Sequence, residues 1–240
     1  MLRRASVLLD YRCEKVSGGT FHSFANMVLR KYALQVGFER SFSILDQTDA
    51  EDVVNLLRTR LKLDTKERRF PRKETLFDVY SRSVNTVTPL AKLLATDYPH
   101  YMELESDIER LFAIYGEYKK SHNLMDYDDL LLNLVKLLRG EESIRAELSA
   151  YYRYIMVDEY QDTNTLQAEI IRQLASKHQN VMVVGDDSQS IYAFRGSTIR
   201  NILEFPEQFS ECKVITLEEN YRSTQAILNV ANEILRHALD

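Results

Sequence analysis

A short apolar run that ends abruptly in adjacent carboxylates constrains this chain more than any other stretch: Tyr154-Ile-Met-Val157 leads straight into Asp158-Glu159-Tyr160-Gln161-Asp162-Thr163. An unbroken apolar run of that length predicts a strand buried on both faces of a parallel sheet. In open α/β sheets ligands gather just beyond the carboxyl ends of such strands, so the acidic pair falls where chemistry is usually done. The pattern returns at Val181-Met-Val-Val184, which ends in Gly185-Asp186-Asp187-Ser188-Gln189 and runs on through Tyr192, Phe194 and Arg195 to Gly196. Between the two, Leu166, Ile170, Ile171 and Leu174 share one helical stripe, and Asn164 with Gln167 has capping-box spacing. Strand, helix, strand predicts a βαβ unit.

Bulk properties narrow the class only by exclusion. The 240 residues carry 31 Lys and Arg against 36 Asp and Glu, so any nucleic-acid contact rests on local patches rather than on overall charge. Cys13 and Cys212 show no C-x-x-C spacing and no register with the five histidines, which argues against a disulfide framework or a zinc site and for reduced thiols in a cytoplasmic protein. The apolar run after Arg3-Arg4 stops at Asp10, too short for a signal peptide, and nothing approaches a membrane span.

Along the chain, a first helix ends near Leu9, residues 16–20 read as a short strand, and residues 23–35 as a helix packing Phe24, Met27, Val28 and Ala33. Thr48-Asp49-Ala50-Glu51 reads as a capping box. From there to His122 the pattern is helical, broken at Pro71, Pro89 and Pro99, and a helical block between strand-bearing segments reads as an insertion. Residues 104–118 and 127–138 are amphipathic core helices; Asp126, Asp128 and Asp129 open the second, where they suit helix capping better than metal binding. Residues 58–73 hold eight bases against Asp64 and Glu67, a local charge of +6 that suits either phosphate contact or a solvated face.

Five motifs carry a resemblance. In order they are Gly19-Thr20-Phe21-His22-Ser23-Phe24, Asp126-Tyr127-Asp128-Asp129-Leu130-Leu131, Asp158 to Thr163, Gly185 to Gly196, and Glu219-Asn220-Tyr221-Arg222-Ser223-Thr224. Together, and over nearly the whole chain, they resemble the UvrD/Rep-type superfamily 1 DNA helicases. The implied fold is α/β: a partial RecA-like parallel sheet with flanking helices, interrupted by an all-helical inserted subdomain. Residues 1–45 would open the first RecA-like domain, 46–122 form the insertion, 123–220 continue the domain, and 221–240 start a second one. The implied function is that of a fragment of an ATP-dependent helicase that translocates on single-stranded DNA and unwinds duplex DNA in replication or repair. Two other classes stay open: the motor part of a helicase–nuclease subunit, and a non-enzymatic DNA-binding scaffold.

The resemblance also implies roles. Asp158 and Glu159 would serve Mg²⁺ and the attacking water, Gln189 would sense the γ-phosphate of ATP, Tyr221 would stack on adenine, and Arg222 would act as an arginine finger. His22, Tyr192, Phe194 and Arg195 would face DNA, and Arg68, Arg69, Arg72 and Lys73 would meet its phosphates. The family's Gly-Lys-Thr or Gly-Lys-Ser phosphate loop occurs nowhere in the 240 residues. That implies a chain beginning after the loop, stopping early in the second motor domain, and binding ATP and Mg²⁺ unproductively by itself. Residues 214–217 would then be a strand of the first domain. The helix after Thr224, with Ile227, Val230 and Ile234 on its apolar face, would fold back on that domain or associate with a second copy.

Overall fold

A computed structural model describes residues 16–64, 69–193, 196–209 and 211–238. The expected first helix, Cys13, Arg68, Phe194 and Arg195 therefore lie outside the described residues. Helix α1 (Phe21–Tyr32) begins two residues earlier than its apolar pattern suggests, because the Thr20 side chain accepts the Ser23 N–H and caps it. Residues 16–20 before it form no strand. After α1 a single 3₁₀ turn closes on Gly37, whose φ of +83° suits glycine.

Strand β1 (Ser43–Ile44) leads into α2 (Gln47–Arg60), capped not by Thr48 but by Asp46, whose carboxylate accepts the Asp49 N–H at 2.9 Å. Helices α3 (Lys73–Thr86), α4 (Leu90–Asp97) and α5 (Glu105–Ser121) follow, divided near the expected prolines. Val54, Leu57, Leu76, Leu94, Ile108 and Leu111 are buried together in a core of this block's own. Strand β2 (Leu124–Met125) then pairs parallel with β1, Ser43 opposite Leu124 and Ile44 opposite Met125. The chain leaves for the helical block and returns from it side by side.

A second core unites α1 with α6 (Tyr127–Gly140), α7 (Glu142–Tyr151) and α8 (Thr165–Leu174), through Leu29, Leu131, Leu134, Leu138 and Ile170 among others. Helix α6 opens with a complete capping box: Asp126 accepts the Asp129 N–H and Asp129 accepts the Asp126 N–H. These carboxylates do more than cap. Lys119 of α5, 1% exposed, sits 2.6 Å from an oxygen of Asp126 and 2.6 Å from one of Asp129, donates to Tyr80 Oη at 3.1 Å, and lies over the Tyr115 ring. A buried ion cluster thus stitches the helical block to α6.

Strands β3 (Ile155–Val157) and β4 (Val181–Val183) flank α8 and pair in parallel, completing the βαβ unit. Burial on both faces does not follow: Ile155, Val157, Val181 and Val183 face the core, while Tyr154, Met156 and Met182 are 79%, 72% and 53% exposed. Only one side of the pair is covered by described residues. Beyond β4, α9 (Arg200–Leu203) and α10 (Phe205–Gln208) pack Phe205 and Phe209 beside Tyr160. Residues 214–217 form no strand; Val214, Ile215 and Leu217 stay 68–82% exposed, and among the described residues no strand pairs with them. Among the described residues the architecture is mostly helical with two small parallel strand pairs, an α/β arrangement.

Helix α11 (Gln225–Ala238) does not fold back on either core, and Ile227, Val230 and Ile234 are 60–64% exposed. Deleting residues 223–240 is therefore expected to move the melting temperature by less than about 2 °C, since surface changes away from packing usually cost within ~0.5 kcal/mol. Differential scanning calorimetry with a parallel measurement of molecular mass checks this. A large fall with monomers on both sides would mean that α11 belongs to the core that unites α1, α6 and α8.

Candidate functional site

The two strand ends meet through one buried side chain. Glu159 follows β3 with φ 51° and ψ 46°, a left-handed conformation that costs a glutamate roughly 1–2 kcal/mol and turns the chain sharply off the strand. Its carbonyl accepts the Asp162 N–H at 3.0 Å, closing a 3₁₀ turn over Tyr160–Asp162. Gln161 in that turn is 1% exposed. Its Nε2 donates to Glu159 Oε2 at 2.8 Å, and its Oε1 accepts the Asp186 N–H at 3.2 Å. Asp186 Oδ2 in turn accepts Gln189 Nε2 at 2.8 Å. Glu159, Gln161, Asp186 and Gln189 are thus hydrogen-bonded in series across the ends of β3 and β4.

Gly185 makes that series possible. A Cβ there would stand 2.4 Å from Gln161 Oε1 and 2.7 Å from Ile202 Cδ1, so the amide fills the space any other residue would need. The Val184 N–H donates to the Val157 carbonyl at 2.8 Å, and the Tyr160 N–H to the Val184 carbonyl at 3.0 Å, extending the ladder to the site. Burial raises the pKa of the Tyr160 phenol to about 12.

Asp158 and Glu159 are exposed. One Asp158 oxygen accepts the Glu159 N–H at 3.1 Å, and Gln161 holds one Glu159 oxygen, which leaves Asp158 Oδ2 and Glu159 Oε1 without a hydrogen bond among the described residues. No group of three or more metal-ligating side chains occurs among the described residues. One or two carboxylates with room for water suit Mg²⁺, which keeps several of its own waters and shares the rest of its shell with phosphate.

The other sequence candidates spread out. His22, in the first turn of α1, meets Tyr127 edge to face at 5.9 Å, and burial lowers its pKa, so it is a half-buried packing residue at the foot of α6. Tyr192 lies on the loop after Gln189, 38% exposed. Tyr221 is 90% exposed and donates to Glu219 at 2.5 Å, while Arg222 is exposed and makes no ion pair among the described residues. Of the basic stretch, Arg69 and Arg72 are exposed, but Lys73 pairs with Asp52 at 2.5 Å and Arg58 donates to the Pro71 carbonyl. Two of the eight bases thus serve the local fold. Gln161 carries no assignment in the sequence reading because an amide between two acids has no periodic or compositional signature.

A parallel βαβ unit with an acidic pair at one strand end and a polar loop at the next places polar groups where open α/β domains bind their ligands. The family model described as UvrD/REP helicase N-terminal domain matches residues 1–210, and the chain belongs to that family. It is similar to the ATP-dependent DNA helicase PcrA of Staphylococcus aureus, 35% identical over 238 residues, which cover 99% of this chain and 32% of that protein. The protein of the same name from Staphylococcus epidermidis is 36% identical over 238 residues, with the same shares. The chain spans about a third of the length of the curated relatives it matches.

Proposed function

We propose that this chain is the part of an ATP-dependent DNA helicase that holds the hydrolytic carboxylates and one face of the DNA track. The observation that carries the reading is the bonded series Glu159, Gln161, Asp186, Gln189, because it joins a water-activating carboxylate to the loop that bears Tyr192. On this reading residues 1–45 and 123–220 belong to a RecA-like domain, 46–122 to an inserted helical subdomain, and 221–240 to the start of a second domain. The adjacent exit and return at β1 and β2 favour the insertion.

Bound Mg²⁺ would supply charge neutralisation at the phosphates of ATP. Asp158 would hold it through its open oxygen. Glu159, oriented by Gln161, would take the proton of the attacking water at Oε1. Gln189, tied to Asp186, would report on the γ-phosphate. Tyr192 would stack on single-stranded DNA, an interaction typically worth about 1–3 kcal/mol per base and tolerant of sequence. Arg68, Arg69 and Arg72 would neutralise phosphates, with Lys73 restricted to an auxiliary role by its bond to Asp52. Phe194 and Arg195 would continue the DNA contact, His22 would support it from behind, and Tyr221 and Arg222 would reach nucleotide once the second domain is in place. The setting would be DNA replication or repair in the cytoplasm.

Binding of the 240-residue chain to fluorescent oligo(dT), followed by anisotropy across a salt series, tests the DNA side. Arg69→Ala with Arg72→Ala is expected to lower affinity and to reduce the slope of log K against log[salt] by about 1.4, from ~0.7 per phosphate contact on single strands. An unchanged slope would return the patch to a solvated face.

A further inference from the structure

Asn85 stands near the C-terminal end of α3, in the helical block, 7% exposed. Its amide nitrogen donates to Asp128 Oδ1 of α6 at 2.6 Å and to the carbonyl and hydroxyl of Ser81, while its oxygen accepts Asn164 Nδ2 at 2.7 Å. Asn164 is the cap of α8, five residues beyond Glu159, and it bridges to Ser197. Directly before Ser197, Gly196 at φ +82° lies so close that a Cβ there would be 3.2 Å from Asn85 Cβ. The return segment is pinned further: the Thr198 N–H donates to the Thr163 carbonyl, and Asn201 Nδ2 donates to both Thr163 oxygens and the Asn164 carbonyl.

The polar loop between Gly185 and Gly196 therefore has two anchors. Gln161 holds its start through Asp186, and the Asn85 cluster holds its end. We propose that Asn85 is a positioning residue, which fixes the loop carrying Tyr192 against the Glu159 strand end and makes the helical block part of the site's geometry. The DNA consequence rests on the reading of Tyr192 as a DNA contact. The geometric claim does not. Direct bonds across 43 and 79 residues of sequence couple three elements at one amide, and neither a hydrophobic residue nor a carboxylate of similar size can both donate to Asp128 and accept from Asn164.

The test is a set of variants of the 240-residue chain. Asn85→Asp removes the donor and sets a second carboxylate against Asp128; adding Asp128→Asn reverses donor and acceptor and restores the pair. In Asn85→Asp, hydrogen exchange at the Thr198 and Asn201 amides is expected to speed up at least tenfold while the amides of α2 and α5 keep their rates, and the double variant is expected to return to parental rates. Oligo(dT) affinity is expected to fall about tenfold in Asn85→Asp and in Tyr192→Ala, with no further loss when the two are combined, whereas the loss from Arg69→Ala adds in full. A general loss of structure would speed exchange in α2 and α5 too, and the double variant then decides: failure to recover overturns the proposal. Unchanged exchange at Thr198 overturns it as well. An unaffected Tyr192→Ala sinks the DNA reading of the loop, and the exchange measurement still judges the positioning role.

Discussion

Purified alone, the 240-residue chain is expected to turn over no ATP above background, with or without single-stranded DNA. The carboxylate end of the site is built: Glu159 is oriented by Gln161, and Asp158 has an open oxygen. On the proposed reading the phosphate end needs a Gly-Lys-Ser or Gly-Lys-Thr loop, which the 240 residues do not contain. Removing one preorganised donor to developing charge typically costs about 10²–10³ in rate, and a whole cradle of backbone N–H groups with its lysine is lacking here. A coupled assay with oligo(dT) checks this, using Glu159→Gln as the matched control. DNA-stimulated turnover abolished by that substitution would defeat the expectation. In a longer polypeptide that supplies the loop, Glu159→Gln is expected to lower kcat by about 10²-fold or more, the usual scale for a lost general base.

Lys119→Met is expected to be the most destabilising single substitution in the chain. It strands Asp126 and Asp129, 1% and 7% exposed, without their cation, and breaking a buried pair from one side typically costs about 3–5 kcal/mol. In a chain of this size that corresponds to a fall in melting temperature of roughly 10 °C. The cluster also sets a pH dependence. Burial, then the negative charge of Asp126, raises the carboxyls of Asp128 and Asp129 from 3.8 to about 6, against the opposing effects of Asn85 on the first and Lys119 on the second. A carboxyl with a raised folded pKa takes up a proton on folding, so its stabilisation is greatest in acid and is lost as pH climbs from about 4 through 6. His22 acts in the other direction, since its lowered pKa favours the folded state as pH rises. Asp128→Asn isolates the carboxyl: it is expected to flatten the decline in melting temperature between pH 5 and pH 7.5, and Lys119→Met to steepen it. Losses under 2 °C for Lys119→Met at both pH values would mean that the cluster does not hold the seam.

How far the fold could be read in advance differed by kind of signal. The βαβ unit, the α6 and α8 caps and the proline breaks were all legible, because each depends on residues within a few positions of one another: an apolar run, a side chain three residues from an amide, a missing N–H. The strand expected at 214–217 failed because a run such as Val214-Ile215 becomes a strand only where a neighbour offers its edge. The cap at Thr48 failed for a smaller reason: Asp46 accepts the Asp49 N–H and starts the helix at Gln47, which puts Thr48 inside the first turn. Reading both faces of β3 as buried failed because covering layers, not the strand, decide exposure.

By itself the sequence determined which family the chain belongs to and which carboxylates stand at a strand end, since both depend on short motifs in order. Only the tertiary structure decided that Gln161 orients Glu159, that Gly185 yields its Cβ space to that amide, that Lys73 is spent on Asp52, and that Asn85 ties the helical block to the loop. Hydrogen bonds of that kind join residues without regard to their separation in the chain. A buried polar group takes whichever partner the packing of apolar cores brings within 3 Å, and no local pattern encodes that choice.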